Sequence, residues 1–220
     1  MNVKISIAGA EHAAHAARIC ELINESAKQR GTGIASRAPE YVAQKIRDGK
    51  SVIALDVNTG EVVGFSYIET WGHGRFVANS GLIVNPEYRH MGFAYRIKKK
   101  IFCLSRKKFP QARIFGITTG LAVMKINSSL GYVPVTFSEL TDDEEFWSGC
   151  KGCHNYDILQ RNSCRMCLCV GMLYDPKKHQ SLYQRLIDLI RRHNLRAQKL
   201  RFRWWMRYRK MKQKKLRIDN

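Results

Sequence analysis

The sequence predicts an α/β fold, a mixed sheet flanked by helices, and three observations predict it. Short β-branched or alternating runs take turns with stretches whose apolar residues recur every three or four positions. Hydrophobic residues make up 45% of the 220, ample for one buried core. At the centre, Ala78 to Val84 is an apolar run ended by Asn85-Pro86, after which Ala94, Ile97, Ile101 and Leu104 share one helical face, giving strand, tight turn and helix in succession.

The elements follow in order. Val3, Ile5 and Ile7 alternate with polar neighbours, the pattern of a first strand over Val3 to Ala8. Ala13, Ala16, Cys20, Ile23 and Ala27 line a helix from about Glu11 to Gln29, ended by Gly31 and Gly33. Pro39 falls in the first turn of a second helix starting near Ser36, with Val42 and Ile46 inward. Ser51 to Leu55 and Glu61 to Thr70 are strands joined through Asn58-Thr59-Gly60, where glycine supplies the positive φ of a hairpin turn. With Ala78 to Val84 they form a three-strand meander, followed by a helix ending near Lys108. Ile114 to Thr119 is then a strand, Ala122 to Leu130 a helix, and Val133 to Phe137 a strand. Thr141-Asp142-Asp143-Glu144 has the spacing of a capping box for a short helix, and Leu168 to Tyr174 is the last strand of a body spanning 1–175.

Charge divides the chain at Pro176. The formal net charge is +20, yet residues 176–220 hold 16 Lys and Arg against 2 Asp and Glu, leaving 22 against 16 in the body. In this tail Leu182, Leu186, Leu189, Ile190 and Leu195 lie near one helical face, and Phe202, Trp204, Trp205 and Tyr208 are interleaved with arginines. Such an amphipathic segment suits an anionic surface, membrane headgroups or nucleic acid; the alternative is a solvated basic tail covering part of the body. No stretch approaches the roughly 18 apolar residues of a spanning helix. The first residues, with Glu11, His12 and His15, lack the organisation of a signal peptide. The expectation is a cytoplasmic protein, peripheral at the membrane where the tail engages it. Its seven cysteines are then free, metal-bound or redox-active rather than disulfide staples.

The turn reads Arg89-His90-Met91-Gly92-Phe93-Ala94, leaving the backbone uncrowded as the helix begins. A helix start exposes unpaired N–H groups and the positive end of the macrodipole, so a diphosphate can be held there by main chain, with Arg89 adding charge-assisted hydrogen bonds. Arg-x-x-Gly-x-Ala after a strand ending Val-x-Pro resembles the acyl-CoA binding motif of the GNAT acyltransferase superfamily. The order of strands and helices from about Val3 to Asp175 is also similar to that family's. The resemblance implies the GNAT fold, with splayed central strands, and acetyl-CoA or another acyl-CoA as co-substrate. It places Leu82, Ile83, Val84, Arg89, His90, Met91, Gly92, Phe93 and Ala94 at the cofactor, and an N–H near Val84 at the tetrahedral oxyanion.

One branch resembles the chain further. The run from Gly116 to Leu140, with Thr118-Thr119 before a helix and Gly131-Tyr132 after it, is similar to the acyltransferase domain of bacterial N-acetylglutamate synthases, as is Asn79-Ser80-Gly81-Leu82. That implies glutamate as acceptor, in arginine biosynthesis, with Arg37 at its carboxylate as a bidentate cation; the alternative is an exposed arginine at a helix start. Where many GNAT members carry a tyrosine that protonates the departing thiolate, this chain has Asn127, which is no proton source at neutral pH. The acceptor amine must lose a proton before it attacks, and Glu69 and His73, at the end of the hairpin strand, are the candidates to take it.

Residues 141–169 form an insert containing Cys150-x-x-Cys153 and Cys164-x-x-Cys167. Four thiolates so spaced can bind a structural zinc ion; the alternative is a set of reduced thiols. Three function classes follow: a small-molecule N-acyltransferase with glutamate favoured, an acyltransferase acting on a protein or another amine, and a non-catalytic CoA-fold module whose insert and tail bind nucleic acid or a membrane.

Overall fold

The computed structural model describes residues 2–30 and 36–179. The chain divides into two units, Met1–Pro176 and Lys177–Asn220. The expected amphipathic helix of the tail, with Trp204 and Trp205, lies outside the described residues.

Among the described residues seven strands form one mixed sheet. β1 (Val3–Ile7), β2 (Ser51–Asp56), β3 (Val62–Trp71) and β4 (Phe76–Val84) pair antiparallel in turn, and β5 (Arg113–Thr118) lies parallel to β4. β6 (Val133–Val135) is the far edge, and β7 (Val170–Tyr174) inserts between β5 and β6, antiparallel to both. The helices are α1 (Ala16–Arg30), α2 (Pro39–Arg47), α3 (Phe93–Lys108), α4 (Leu121–Ser129), α5 (Glu144–Ser148) and α6 (Tyr156–Arg161).

Alternation along the strands sends neighbouring residues to opposite faces, and each face finds its own cover. Ile97, Ile101 and Leu104 of α3 pack on Val77, Ile114 and Met172. On the other face Ile19 and Ile23 of α1 and Ile46 of α2 pack on Ile53 and Phe65. Beside these, Trp147 of α5 and Leu159 of α6 cover Phe115 and Leu173. Each fully buried aliphatic side chain contributes roughly 1.5–3 kcal/mol relative to exposure, so the three clusters fix the sheet from both sides.

The structure departs from the sequence reading in four places, one being α6, a helix that the sequence reading did not expect. The helix expected from Glu11 begins as a 3-10 segment over Ala10–His15, where the Gly9 N–H donates to His12 Nδ1 at 3.1 Å and tightens the chain locally. β6 stops at Val135, because Phe137 turns inward to stack on Trp147 at 5.2 Å between ring centroids. Thr141 does not cap α5. Asp143 does, its Oδ1 accepting from Glu145 N at 3.1 Å, while Thr141 Oγ1 accepts from Asp143 N.

Candidate functional site

β4 and β5 are paired only from Phe76 to Ala78 against Arg113 to Phe115. Beyond that they part, and a cavity of about 810 Å³ opens between them, walled by residues 78–82 of β4, residues 115–118 of β5, Thr119, Gly120 and the start of α4. A bulge shapes the β4 wall. From Phe65 to Tyr67 β3 advances by two residues, while β4 advances by three from Ser80 to Ile83, so β4 carries one unpaired residue. Gly81 adopts φ 62 there, and a side chain at this position would collide with the Tyr67 ring.

On the α2 side of the sheet a polar cluster borders the cavity. Glu69 is only 6% exposed. Its Oε1 accepts from the Tyr41 hydroxyl at 2.5 Å and its Oε2 from Ser80 Oγ at 2.5 Å. Arg37 Nε donates to the Tyr67 hydroxyl at 3.0 Å. The pleat brings Tyr67 and Glu69, two residues apart on β3, to the same face, and α2 supplies Tyr41 from above. Burial, then the Glu69 carboxylate, pushes the Tyr41 hydroxyl far above its ordinary value, and burial followed by Glu69 does the same to Tyr67, so both stay protonated, Tyr41 as the donor to Glu69. Burial alone would lower Arg37, but Tyr67 and Glu69 outweigh it and the guanidinium is raised. The cluster therefore presents a fixed cation and a fixed carboxylate to one cavity.

Of the residues singled out in the sequence for catalysis, substrate or acyl-CoA, Arg37, Glu69 and Leu82 line this cavity. His73 is not among its lining residues; it sits exposed in the turn between β3 and β4, with φ 56, because the hairpin runs on past the point where the sheet splays. Asn127 is 1% exposed on the far part of α4, whose first residues alone meet the cavity, and its Oδ1 has no partner among the described residues. Ile83 and Val84 are buried in the two cores. Val84 is paired with Gly64, so the unpaired main chain lies at the bulge near Gly81 rather than at Val84.

The turn from Arg89 to Ala94 follows β4 directly. Arg89 Nε donates to Val84 O at 3.4 Å, Nη1 to Gln29 Oε1 at 3.3 Å and Nη2 to Ser26 Oγ at 3.4 Å, which ties the turn to α1. His90 and Met91 are exposed, and Phe93 packs under Tyr88. Gly92 caps α3 with φ 78, and nothing lies within 4 Å of where its Cβ would be, so the helix start is open to a ligand.

The cysteines do not assemble as expected for zinc. Cys150, Cys153, Cys167 and Cys169 border the 810 Å³ cavity, while Cys164, in a left-handed conformation with φ 59, borders a neighbouring one. Cys153 Sγ accepts from Asn155 N at 3.4 Å and Cys167 Sγ donates to Asn155 O at 3.7 Å, so these sulfurs are turned to main chain. Burial first, then neighbouring thiols, push Cys150 up to about 11 and Cys169 to about 12. Among the described residues no group of three or more His, Cys, Asp or Glu could hold a metal ion, and the residues present do not fit a zinc site.

Compared by sequence, the chain matches no protein-family model and no curated protein. Compared by structure, it is similar to the N-acetylglutamate synthase of Neisseria gonorrhoeae, solved with coenzyme A and N-acetyl-glutamate, at 18% identity and a TM-score of 0.58. That match covers 80% of this chain and 35% of the synthase, so the chain spans about a third of its length. It is similar to an acetyltransferase-like protein of Salmonella typhimurium solved with acetyl-CoA, at 14% identity and a TM-score of 0.56 over 82% of this chain and 98% of that one. It is also similar to the phosphinothricin acetyltransferase of Sinorhizobium meliloti, at 16% identity and a TM-score of 0.53 over 80% of this chain and 89% of the other. The chain has the GNAT fold.

Within this GNAT fold the sequence reading missed Tyr41, Tyr67 and Ser80, which hold Arg37 and Glu69 in place. Only the period of the strands carried a signal for them: Tyr67 and Ser80 fall on the face that Glu69 faces once the register is known. No helix of the described residues is long and apolar enough to cross a membrane.

Proposed function

We propose that this chain is an acyl-CoA-dependent N-acyltransferase whose favoured acceptor is glutamate, making N-acetyl- or N-succinylglutamate as in arginine biosynthesis. The observation that carries the reading is Arg37 and Glu69 held together on one wall of the cleft where β4 and β5 part. The two charges suit an amino acid, whose carboxylate pairs with Arg37 and whose ammonium meets the remaining lone pairs of Glu69.

The acyl-CoA side has the matching parts. The first N–H groups of α3 and the open space above Gly92 accommodate a diphosphate, and Arg89 serves by holding the turn on α1. The bulge at Gly81 offers main chain outside the ladder to the thioester carbonyl, where an N–H donor stabilises the tetrahedral oxyanion. Glu69 orients the ammonium, and its proton leaves through the carboxylate or water before the neutral amine attacks. The basic tail, by its composition, would bring the enzyme to an anionic surface; binding to anionic vesicles or nucleic acid that falls steeply with salt and disappears on truncation after Asp175 would support this, and equal binding by the truncated chain would refute it.

Free CoA release measured with acetyl-CoA and with succinyl-CoA tests the acceptor. Glutamate should outpace lysine, polyamines and aminoglycosides. Turnover of a polyamine or peptide amine with glutamate ignored would leave the general acyltransferase reading and remove the acceptor.

A further inference from the structure

Behind the β4 wall, on the α3 side of the sheet, stands a lysine that the reading above does not use. Lys98 is 2% exposed, on the inward face of α3 among Ile97, Ile101 and Leu104. Its Nζ donates to Asn79 O at 3.2 Å. Asn79 is the first residue of β4 past the last pair with β5, so the lysine satisfies a carbonyl at the apex of the splay. Around it the groups are neutral: Tyr132 donates to Asn79 Oδ1 at 3.0 Å and offers its ring 5.6 Å from Nζ, and Asn79 Nδ2 donates to Ser105 Oγ at 2.7 Å. Among the described residues Lys98 is in no ion pair, and burial alone lowers it to about 7.

Two wall elements separate Nζ from the cavity, the main chain of Asn79 and Gly116, both of which line it. Gly116 has no side chain, and a Cβ built on it would lie 3.9 Å from Nζ. The ammonium thus stands directly behind these two wall residues, on the side opposite Glu69 and Arg37, and Gly116 puts no side chain beside it.

This bears on a missing part of the acyl-transfer reading, on which the inference rests. When the neutral amine attacks the thioester carbon, the C–N bond forms and the C–S bond breaks. The electron pair of that bond leaves on sulfur, and the thiolate must take a proton. Asn127 cannot supply one. We infer that Lys98 is the proton donor to the departing CoA thiolate, reaching it past Gly116 from the α3 side of the sheet. Its ammonium gives the proton to sulfur and becomes a neutral amine, which water reprotonates for the next cycle. Burial lowers this lysine toward the range where an ordinary thiol, at about 8.5, can take its proton. A neutral aliphatic residue would fill the same space on α3, so packing does not account for a lysine there.

The test compares two acyl donors. Lys98→Met keeps the length of the side chain and removes the ammonium; calorimetric acetyl-CoA affinity and thermal unfolding confirm an intact fold. Turnover is then measured with acetyl-CoA and with S-acetyl-4-nitrothiophenol, whose thiolate departs without a proton. The expected result is a loss on the order of 100-fold or more with acetyl-CoA and little loss with the activated thioester. Gly116→Ala, whose methyl meets Nζ and Asn79 O at ordinary 3.9 Å contact, should show the same donor-dependent loss by screening the ammonium. Equal losses with both donors, or none, overturn the role of Lys98 while acyl transfer by the unaltered chain stands. No CoA release by the unaltered chain with any amine and either acyl-CoA overturns both.

Discussion

The two faces of β4 treat charge in opposite ways. Ser80 points toward α2, into a cluster where Glu69 takes two hydroxyl hydrogen bonds and Arg37 stands close enough to be raised by it. Asn79, one residue earlier, points toward α3, where Lys98 has a carbonyl and an aromatic ring but no carboxylate. The first arrangement sets a guanidinium among groups that raise it, with Glu69 held by two hydroxyl donors. The second leaves one ion uncompensated, so that burial moves it into the physiological range. Compensation suits recognition of a substrate, which needs fixed charges, and its absence suits proton transfer, which needs a group that changes charge easily.

The contrast is broken most strongly by removing the uncompensated charge. Unfolded lysine titrates near 10.4 and folded Lys98 at about 7. Below pH 7 both states are protonated and the folded chain carries the full penalty of a buried ammonium. Between about 7 and 10.4 the unfolded chain binds the extra proton, so stability rises with pH; above that range the penalty is gone. Lys98→Met should therefore stabilise the fold by up to about 5 kcal/mol below pH 7, with the gain shrinking toward pH 10. The difference in unfolding free energy between variant and parent, followed against pH, reads this directly, and a difference independent of pH would contradict it.

Removing the compensated cation should act on the acceptor alone. Arg37→Ala is expected to weaken transition-state binding of glutamate by about 2–5 kcal/mol, seen in kcat/KM, because it leaves Glu69 without its counter-charge and the substrate carboxylate without a partner. Acetyl-CoA affinity should hold. Gly81→Ala attacks the wall itself: the left-handed backbone and the collision with Tyr67 together should cost about 3 kcal/mol of stability and displace the hydroxyl that holds Arg37. A fully stable variant would mean that the bulge relaxes freely.

How much of this was legible in the sequence varied with the range of the interaction. The strands from Val3 to Val84 and the turn into α3 follow from local alternation, glycine and proline, and came out within a few residues. Arg37 and Glu69 were picked out, but not that Tyr41, Tyr67 and Ser80 hold them, since those pairings join α2 and the segment just before it, β3 and β4 across 11 to 30 residues of sequence. His73 was chosen with Glu69 for its place at the end of the hairpin strand, but β3 stops at Trp71 and His73 falls in the turn beyond it, apart from the residues that line the cavity. Cysteine spacing suggested a ligand set, but spacing says nothing of where sulfurs point, and Asn155 main chain takes two of them. Lys98 was readable and passed over: it falls four residues after Ala94 and three before Ile101, a lysine on the face that the apolar period marks as inward.

The smallest effect sharpens the comparison most, because it should touch one face only. Asp143 joins the insert to the sheet, Oδ1 capping α5 through Glu145 N at 3.1 Å and Oδ2 accepting from Gly72 N, in the β3–β4 turn, at 3.2 Å. Phe146 and Trp147 of that helix border the cavity, Phe146 edge-on to Phe115 at 5.0 Å. Asp143→Ala removes the cap and leaves the aromatic packing, so it should cost about 1 kcal/mol of stability. A looser α5 frees the wall beside Arg37, where Gly149 would place a Cβ 3.9 Å from Nη2, and the acceptor KM should rise several-fold. Nothing in the α3 face depends on Asp143, so acetyl-CoA affinity and the pH dependence set by Lys98 should stay as they are. A parallel loss of acetyl-CoA affinity would show that the two faces of β4 are coupled through the insert and do not act as separate sites.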